Sequence, residues 1–188
     1  KEIKNYFNNN NLKILDIGCG TGSNFEFLSK FGQVSGVDNS TLAIKHAKKY
    51  KFKTLKKSRA EKLPFTKGTF DLVLLLDVIE HIKDDEKAIL EARRVLKKDG
   101  VILITVPAMQ IIWSRHDEMQ GHFRRYSKNN FYKFAKNLDL EILNINYFNF
   151  FLAVPIGIVR ILSRTPLFSK VANYDSKINF GVVNYPFI

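Results

Sequence analysis

The sequence predicts an α/β protein with a doubly wound, mostly parallel sheet of the Rossmann-like type. Strand-like and helix-like patterns alternate along the chain, which is the arrangement of successive βαβ units. Residues 70–76 include a continuous apolar run, which is typical of a strand that is buried on both faces at the centre of a sheet. A glycine-rich turn follows the first predicted strand, where sheets of this type bind nucleotide-like ligands.

The strands and helices are predicted from hydrophobic periodicity and from capping residues. The predicted strands are residues 13–17, 33–37, 52–56, 70–76, 101–106 and 141–147. A first helix is expected around Phe27, Leu28 and Phe31, and a second after a cap at Ser40 or Asn39. A third helix is expected from Asp84, with Gly100 as its left-handed C-terminal cap, and a fourth after the cap Ser127. Residues 108–126 read as an ordered but irregular insertion.

The domain organisation is expected to be simple, because 188 residues suffice for one substantial core. We expect residues 1–148 to form the domain and residues 149–188 to be an apolar extension of it. The chain begins with Lys1 rather than Met and ends with apolar residues, so we expect it to be cut from a longer protein.

Composition favours a reducing compartment and argues against nucleic acid as the main partner. Cys19 is the one cysteine, so no internal disulfide can form, and we expect a cytoplasmic protein. The formal net charge of +12 suits a nucleic acid or an anionic membrane. However, lysines occur on every predicted helix, and no basic stripe alternates with stacking aromatic residues.

The apolar segment 148–162 does not fit the polar-turned hairpin strand expected after the sixth strand. It is shorter than the ~20 residues that span a bilayer, and Asn149, Pro155 and Arg160 interrupt it. Two interpretations stay open. In the first, the segment lies in a membrane interface, where its aromatic and branched residues and the neighbouring basic residues are favourable. In the second, it packs on the domain's own sheet or on a dimer partner.

The strongest motif is the turn Asp16-Ile17-Gly18-Cys19-Gly20-Thr21-Gly22 between the first strand and the first helix. Its glycines let the backbone lie against a ligand. A dinucleotide fingerprint requires a third glycine where Ser23 stands, and Asp16 would repel an anionic pyrophosphate. An acid at this position suits a cofactor with an ammonium group, such as S-adenosylmethionine.

Asp38 ends the second predicted strand, twenty residues after Gly18. A carboxylate at this position can accept hydrogen bonds from both hydroxyls of an adenosine ribose. Its alternative role is to cap the helix that follows.

These motifs resemble those of class I S-adenosylmethionine-dependent methyltransferases, in the small-molecule branch with the ubiquinone and menaquinone biosynthesis enzymes. The resemblance covers residues 12 to about 148. The matching segments are residues 14–22, 37–38, 60–65, 70–73, 78–81 and 96–100.

The resemblance implies S-adenosylmethionine as the cofactor and assigns roles to individual residues. The residues implied to bind the cofactor are Asp16, Gly18, Gly20, Gly22, Asp38, Ala60, Glu61, Leu76 and Asp77. Arg59 departs from the family, which often has Asp there to meet the adenine amino group.

Methyl transfer from a sulfonium is a direct displacement that requires mainly alignment, so a base is needed only for a protonated acceptor. His81 and His122 are the candidate bases, although His81 also fits a structural role. Asp77, Glu80 and His81 resemble the metal ligands of some quinone-pathway O-methyltransferases, but no metal ligand is assigned. Residues 113–126 are rich in groups that bind anionic or polar acceptors and are interpreted as an acceptor-side lid, or alternatively as a salt-bridged surface loop.

The function predicted from these features is methyl transfer to a small-molecule or lipid-linked acceptor, with peripheral membrane contact. The alternatives are an RNA methyltransferase and a non-catalytic S-adenosylmethionine-binding module. The sequence does not fix the oligomeric state.

Overall fold

The computed structural model describes residues 6–7 and 11–147. The chain divides into two compact units, of which the first ends its main segment at Val106 and the second begins at Pro107. The expected extension, residues 149–188, lies outside the described residues, as does the apolar segment 148–162. The domain boundary expected at residue 148 therefore stays a prediction.

The first unit contains a five-stranded sheet in which every pairing is parallel. Its strands are β1 Leu12–Ile17, β2 Gly32–Asp38, β3 Thr54–Lys57, β4 Phe70–Leu76 and β5 Leu96–Thr105. The strand order β3-β2-β1-β4-β5 confirms the doubly wound topology. After β3 the chain crosses to the other side of β1, so the topological switch point lies between β1 and β4. Ligands of such sheets bind at the carboxyl ends of the strands beside this point.

The predicted central strand, β4, has the expected bounds and is buried on both faces. On one face, Leu72 and Leu74 pack with Ile14 of β1, Leu28 and Val34. The middle of the five strands, however, is β1 rather than β4. The sheet was expected to continue through a strand at residues 141–147, but those residues form no strand in the structure.

Between residues 11 and 106 the first unit has three α-helices: α1 Phe25–Leu28, α2 Thr41–Ala47 and α3 Asp85–Val95. Ser40 caps α2, because its side chain accepts a hydrogen bond from the Ala43 N–H, and Asp84 caps α3 in the same way through Lys87. Leu42 of α2 is 64% exposed.

The left-handed cap predicted at Gly100 is wrong. Helix α3 ends at Val95, and residues 96–100 are already part of β5, with Leu96 paired to Phe70. Gly100 has no positive φ. A side chain there would instead approach the Asp71 carbonyl oxygen to 2.9 Å and the Leu96 side chain to 2.7 Å, so glycine is required by close packing.

In the second unit, the insertion predicted at residues 108–126 is ordered and includes the short helix α4 Arg115–Met119. An isolated bridge pairs Ala108 with Tyr126. Helix α5, Lys128–Leu138, follows with the predicted cap at Ser127. Tyr126 is buried and contacts the rings of Phe131 and Phe134 on α5.

Within the described part of the chain, no helix has the length and apolar character needed to cross a membrane.

Candidate cofactor site

The glycine turn after β1 is fixed by hydrogen bonds to the neighbouring strand. The N–H groups of Gly18 and Cys19 both donate to the Val37 carbonyl oxygen of β2, at 2.8 and 3.0 Å. The Gly22 N–H then donates to the Cys19 carbonyl oxygen at 2.9 Å and closes the turn. The turn therefore lies at the carboxyl ends of β1 and β2.

The three glycines of this turn have positive φ angles, but they differ in what surrounds them. A Cβ at Gly18 would lie 2.5 Å from Val78, and one at Gly22 would lie 2.6 Å from Tyr50. A Cβ at Gly20 would have no heavy atom within 4 Å. Gly18 and Gly22 are therefore required by packing, whereas Gly20 faces open space where a ligand can contact the backbone.

Asp16 is a buried carboxylate whose charge is not compensated by the described residues. It is 1% exposed, and its Oδ2 has no hydrogen-bond partner among them. Burial raises the pKa of Asp16 from its ordinary 3.8 to about 7; the nearby Asp38 adds to this, and a hydrogen bond with Asn24 opposes it. A buried, unpaired acid is costly, and a cationic ligand group would remove that cost.

Asp38 connects the glycine turn to the start of α2. Its Oδ2 accepts a hydrogen bond from the Gly20 N–H at 2.9 Å, and its Oδ1 accepts one from the Ser40 N–H at 2.7 Å. A carboxylate oxygen can accept a second hydrogen bond, so both oxygens keep capacity for a ligand hydroxyl. The helix-initiating role and the proposed ribose role are therefore compatible.

The segment after β3 contains the two residues implied to lie beside adenine. Ala60 is buried, and Glu61 forms an ion pair with Arg59. The hydrogen bond with Arg59 holds the pKa of Glu61 below its ordinary value. The departure at Arg59 thus places a guanidinium beside this segment, on a residue whose side chain is 77% exposed.

Arg94 of α3 holds the end of this segment in place. Its guanidinium donates to the carbonyl oxygens of Phe65 and Leu63, at 2.8 and 3.0 Å, and binds the Glu91 carboxylate. Glu91 in turn accepts a hydrogen bond from the Leu63 N–H at 2.8 Å. These contacts could not be predicted from the sequence, because Glu91 and Arg94 lie about thirty residues after Leu63 and Phe65 and share no local motif with them.

At the end of β4, Leu76 is followed by Asp77, a non-glycine residue with a φ of 53°. Asp77 is held in this unusual conformation by Thr105 at the end of β5. Its N–H donates to the Thr105 carbonyl oxygen at 3.0 Å, and the Thr105 hydroxyl donates to Asp77 Oδ1 at 3.1 Å. Strain of this kind is concentrated at functional sites.

Glu80 lies in the 3-10 turn Ile79–His81 and is a second buried acid. It is 1% exposed, and its Oε2 has no partner among the described residues. Burial raises the pKa of Glu80 to about 8, and Asp77 adds to the rise. The sequence indicates Glu80 only as a candidate metal ligand, because no local pattern predicts its full burial.

The two candidate bases differ in their surroundings. His81 is exposed, in the turn after β4. His122 belongs to the second unit, where its Nδ1 lies 3.1 Å from Oδ1 of the fully buried Asp117. The same carboxylate oxygen accepts a hydrogen bond from Arg125 at 2.8 Å. An imidazole held through one nitrogen in this way has a defined orientation and tautomer.

The comparisons with known proteins agree with this geometry. Residues 15–104 match the model of a methyltransferase domain family. This match covers 90 of the 188 residues, slightly less than half of the chain. The ubiquinone biosynthesis O-methyltransferase of Pelagibacter ubique is 37% identical over 99 residues, which are 50% of this chain and 41% of that protein. The chain spans less than half the length of the curated relatives it matches.

Two solved structures show the same fold. The YcgJ protein from Bacillus subtilis has a TM-score of 0.69 at 23% identity, over 83% of this chain and 75% of that one. A methyltransferase from Thermotoga maritima, described as S-adenosylmethionine-dependent and as a possible histamine N-methyltransferase, has a TM-score of 0.60 at 25% identity, over 74% of this chain and 68% of that one.

The cofactor that this family and fold imply is S-adenosylmethionine, and the described residues fit it. The unpaired oxygen of Asp16 suits an ammonium group, and the open side of Gly20 admits a ligand against the backbone. The residue-by-residue roles inferred from the resemblance remain predictions. The structure does bring Asp16, the glycine turn and Asp38 together, through the backbone contact of Gly20 with Asp38.

The first prediction uses the open space at Gly20. Gly20→Ala is expected to weaken S-adenosylmethionine binding at least about tenfold, because a methyl group would occupy the ligand's approach to the backbone, while folding loses only about 1–2 kcal/mol from the left-handed conformation. Calorimetry and thermal unfolding measure the two effects.

Gly68→Ala is the matched control for this experiment. Gly68 also has a positive φ, of 68°, and an open Cβ direction. It precedes β4, however, and so lies at the amino end of that strand, whereas the candidate cofactor site lies at the carboxyl ends of the strands. The two variants should lose similar stability, and only Gly20→Ala should lose binding. If both variants bind S-adenosylmethionine equally well, the glycine turn is not part of the cofactor site.

The second prediction concerns the buried Asp16. Its folded-state pKa lies above the ordinary value, so the folded protein retains a proton that the unfolded chain releases, and stability falls as pH rises from about 4 to about 7. Asp16→Asn cannot ionise. In the absence of cofactor it should be more stable than the parent at pH 8, by on the order of 4 kcal/mol, with little of this gain near pH 4.

Chemical denaturation at the two pH values measures the gain, with the exposed Asp99→Asn as the control. Asp16→Asn should also bind S-adenosylmethionine more weakly at pH 8, because it removes the carboxylate that meets the ammonium group. A stability difference that does not depend on pH would contradict the uncompensated burial of Asp16.

Proposed function

We propose that this protein transfers a methyl group from S-adenosylmethionine to a small-molecule or lipid-linked acceptor. The observation that carries the proposal is the buried Asp16 carboxylate, whose Oδ2 has no hydrogen-bond partner among the described residues, beside an open glycine turn that is tied to Asp38. It lies within the segment that matches the methyltransferase domain family.

Each proposed cofactor contact uses a group with matching chemistry. Asp16 binds the ammonium group, directly or through water, and the turn from Gly18 to Gly22 faces the methionine part. Asp38 accepts hydrogen bonds from the ribose. Ala60 and Glu61 lie beside adenine, and Leu76 and Asp77 close the site at the end of β4. The Arg59–Glu61 ion pair supports a polar rather than apolar adenine edge.

When bound, the cofactor supplies a methyl group activated by a sulfonium charge. The protein's contribution is mainly alignment of the acceptor and exclusion of water. For an acceptor that arrives protonated, we propose His122 as the base that removes the proton, with Asp117 as the residue that positions it. His81 is the second candidate, and its exposure in a turn supports that role less than the Asp117 contact supports His122.

The acceptor class is proposed from the named relative. The Pelagibacter ubique protein is a ubiquinone biosynthesis O-methyltransferase, which supports an acceptor oxygen on a small or lipid-linked molecule. The proposed lid at residues 113–126 supplies Arg115 and Arg124 for an anionic acceptor. Contact of residues 148–162 with a membrane surface would suit a lipid-linked acceptor, and it remains a proposal on residues outside those described.

The third prediction tests the activity itself. Incubation with methyl-labelled S-adenosylmethionine should transfer label into the lipid or soluble-metabolite fraction of a cell extract, and not into its RNA. Gly68→Ala should retain transfer, and Gly20→Ala should lose it. Label in RNA alone would replace the proposal with an RNA methyltransferase, and cofactor binding without transfer to any fraction would indicate a binding module.

The fourth prediction concerns His122. With the labelled product as the assay, His122→Gln should lower kcat by about a hundredfold or more, as expected for loss of a general base, and should flatten the acid side of the pH profile of kcat. Cofactor binding should be unchanged. His46→Gln, on the exposed surface of α2, is the control. A parallel loss of thermal stability with an unaltered pH profile would assign His122 a structural role only.

A further inference from the structure

Positive charge is concentrated in one short part of the chain. Residues 39–60 contain eight lysines and arginines and no acidic residue, whereas the remaining residues contain 22 basic and 18 acidic ones. These basic residues lie on α2, on the connection after it, on β3 and at Arg59. The seven lysines define what we call the lysine face: Lys45, Lys48, Lys49, Lys51, Lys53, Lys56 and Lys57.

The lysine face is exposed and is not neutralised by the described residues. All seven lysines are exposed, and none forms an ion pair with a described carboxylate. The side-chain contacts described for them are with neutral groups: Lys57 with the Thr41 hydroxyl, Lys49 with the ring of Tyr50, and Lys56 with the ring of Phe65. Like charges held together without counter-charges repel one another, and an anionic partner relieves that repulsion.

Protection of the sheet edge does not account for this face. Strand β3 is an edge strand, and lysines on such a strand discourage pairing with other chains. Only Lys56 and Lys57 lie on β3 itself, however. The other five lie on α2 and on the connection 48–53, where no strand edge needs protection.

We propose that the lysine face binds the anionic surface of a lipid bilayer. The face uses lysines rather than arginines, which suits a diffuse layer of headgroup charge more than paired recognition of individual phosphates. The aromatic residues nearby are not available to stack on bases, because Tyr50 and Phe52 pack against Phe25 at ring distances of 5.4 and 4.7 Å. These features favour a membrane over a nucleic acid.

Two further features fit a membrane surface. Leu42, 64% exposed, lies three residues before Lys45 on α2 and so presents an apolar side chain beside a cationic one. Lys51 and Lys53 line a shallow depression with Ser29 and Gln33. Ammonium, hydroxyl and amide donors together suit a phosphate headgroup. The inference adds a binding surface to the proposed function and does not depend on which acceptor is methylated.

The fifth prediction is tested by flotation of the full chain with vesicles. Binding to phosphatidylcholine vesicles that contain about one-third phosphatidylglycerol should exceed binding to pure phosphatidylcholine, and should be lost at about 0.5 M salt, where charge interactions are screened. A variant with four lysines of the face replaced by Gln should bind at least about a hundredfold more weakly, at roughly fivefold per lysine. The four lysines are Lys45, Lys48, Lys51 and Lys53.

A control variant removes the same amount of charge from exposed lysines elsewhere: Lys67, Lys98, Lys133 and Lys136. It should lose no more than about threefold, because screening limits distant charges. Unchanged S-adenosylmethionine binding by both variants verifies the fold and separates this result from the cofactor assignment. Phe151→Asp tests separately whether the apolar segment 148–162 binds the vesicles. Binding through that segment would persist at high salt and would be reduced by this substitution.

Three outcomes would overturn the proposal. One is equal binding to anionic and neutral vesicles at low salt. Another is an equal loss in the two charge variants, which would assign binding to net charge rather than to this face. The third is loss of binding to a structured RNA, but not to vesicles, when the lysine face is substituted, which would identify a nucleic-acid surface instead.

Discussion

The Asp16 carboxylate is buried at the end of the middle strand, and none of the residues that the structure describes compensates its charge. Its neighbours in the strand, Leu15 and Ile17, are fully buried in the core, so the side chain cannot turn to solvent without disrupting β1. The glycine turn begins two residues later, and Asp38 lies close enough to raise the pKa of Asp16 further. Burial of this charge therefore destabilises the folded protein, and a cationic ligand group at the same position would offset that destabilisation.

The hydrogen bonds around the glycine turn hold it in place despite the free-energy cost of burying Asp16. Val37 accepts hydrogen bonds from Gly18 and Cys19, and Asp38 accepts one from Gly20, so β2 holds the backbone of the turn at successive residues. Relaxation of the turn would break several of these contacts at once. A ligand therefore meets a site that is already formed, and less of its binding energy is spent on ordering the protein.

Local patterns in the sequence predict those parts of the fold that local chemistry determines. The apolar run of β4, the caps at Ser40 and Ser127, the start of a helix at Asp84, and the spacing from the glycine turn to Asp38 are of this kind. The start of β5 was misplaced because Leu96 fits both the apolar face of α3 and a strand, and its pairing with Phe70 decides between them. The full burial of Glu80 and the contacts of Arg94 depend on residues distant in sequence, which no local pattern reveals.

The charge distribution also differs from what the net charge of the whole chain indicates. A net charge of +12 suggested basic residues spread over the whole surface, but most of the excess lies within residues 39–60. At physiological salt, charges interact over only about 8 Å, so local density, rather than the total, determines what a surface attracts. Because α2 begins three residues after Asp38, the lysine face adjoins the residue proposed to bind the ribose. A bilayer held there would lie beside the cofactor end of the sheet, where a lipid-linked acceptor would have the shortest distance to travel.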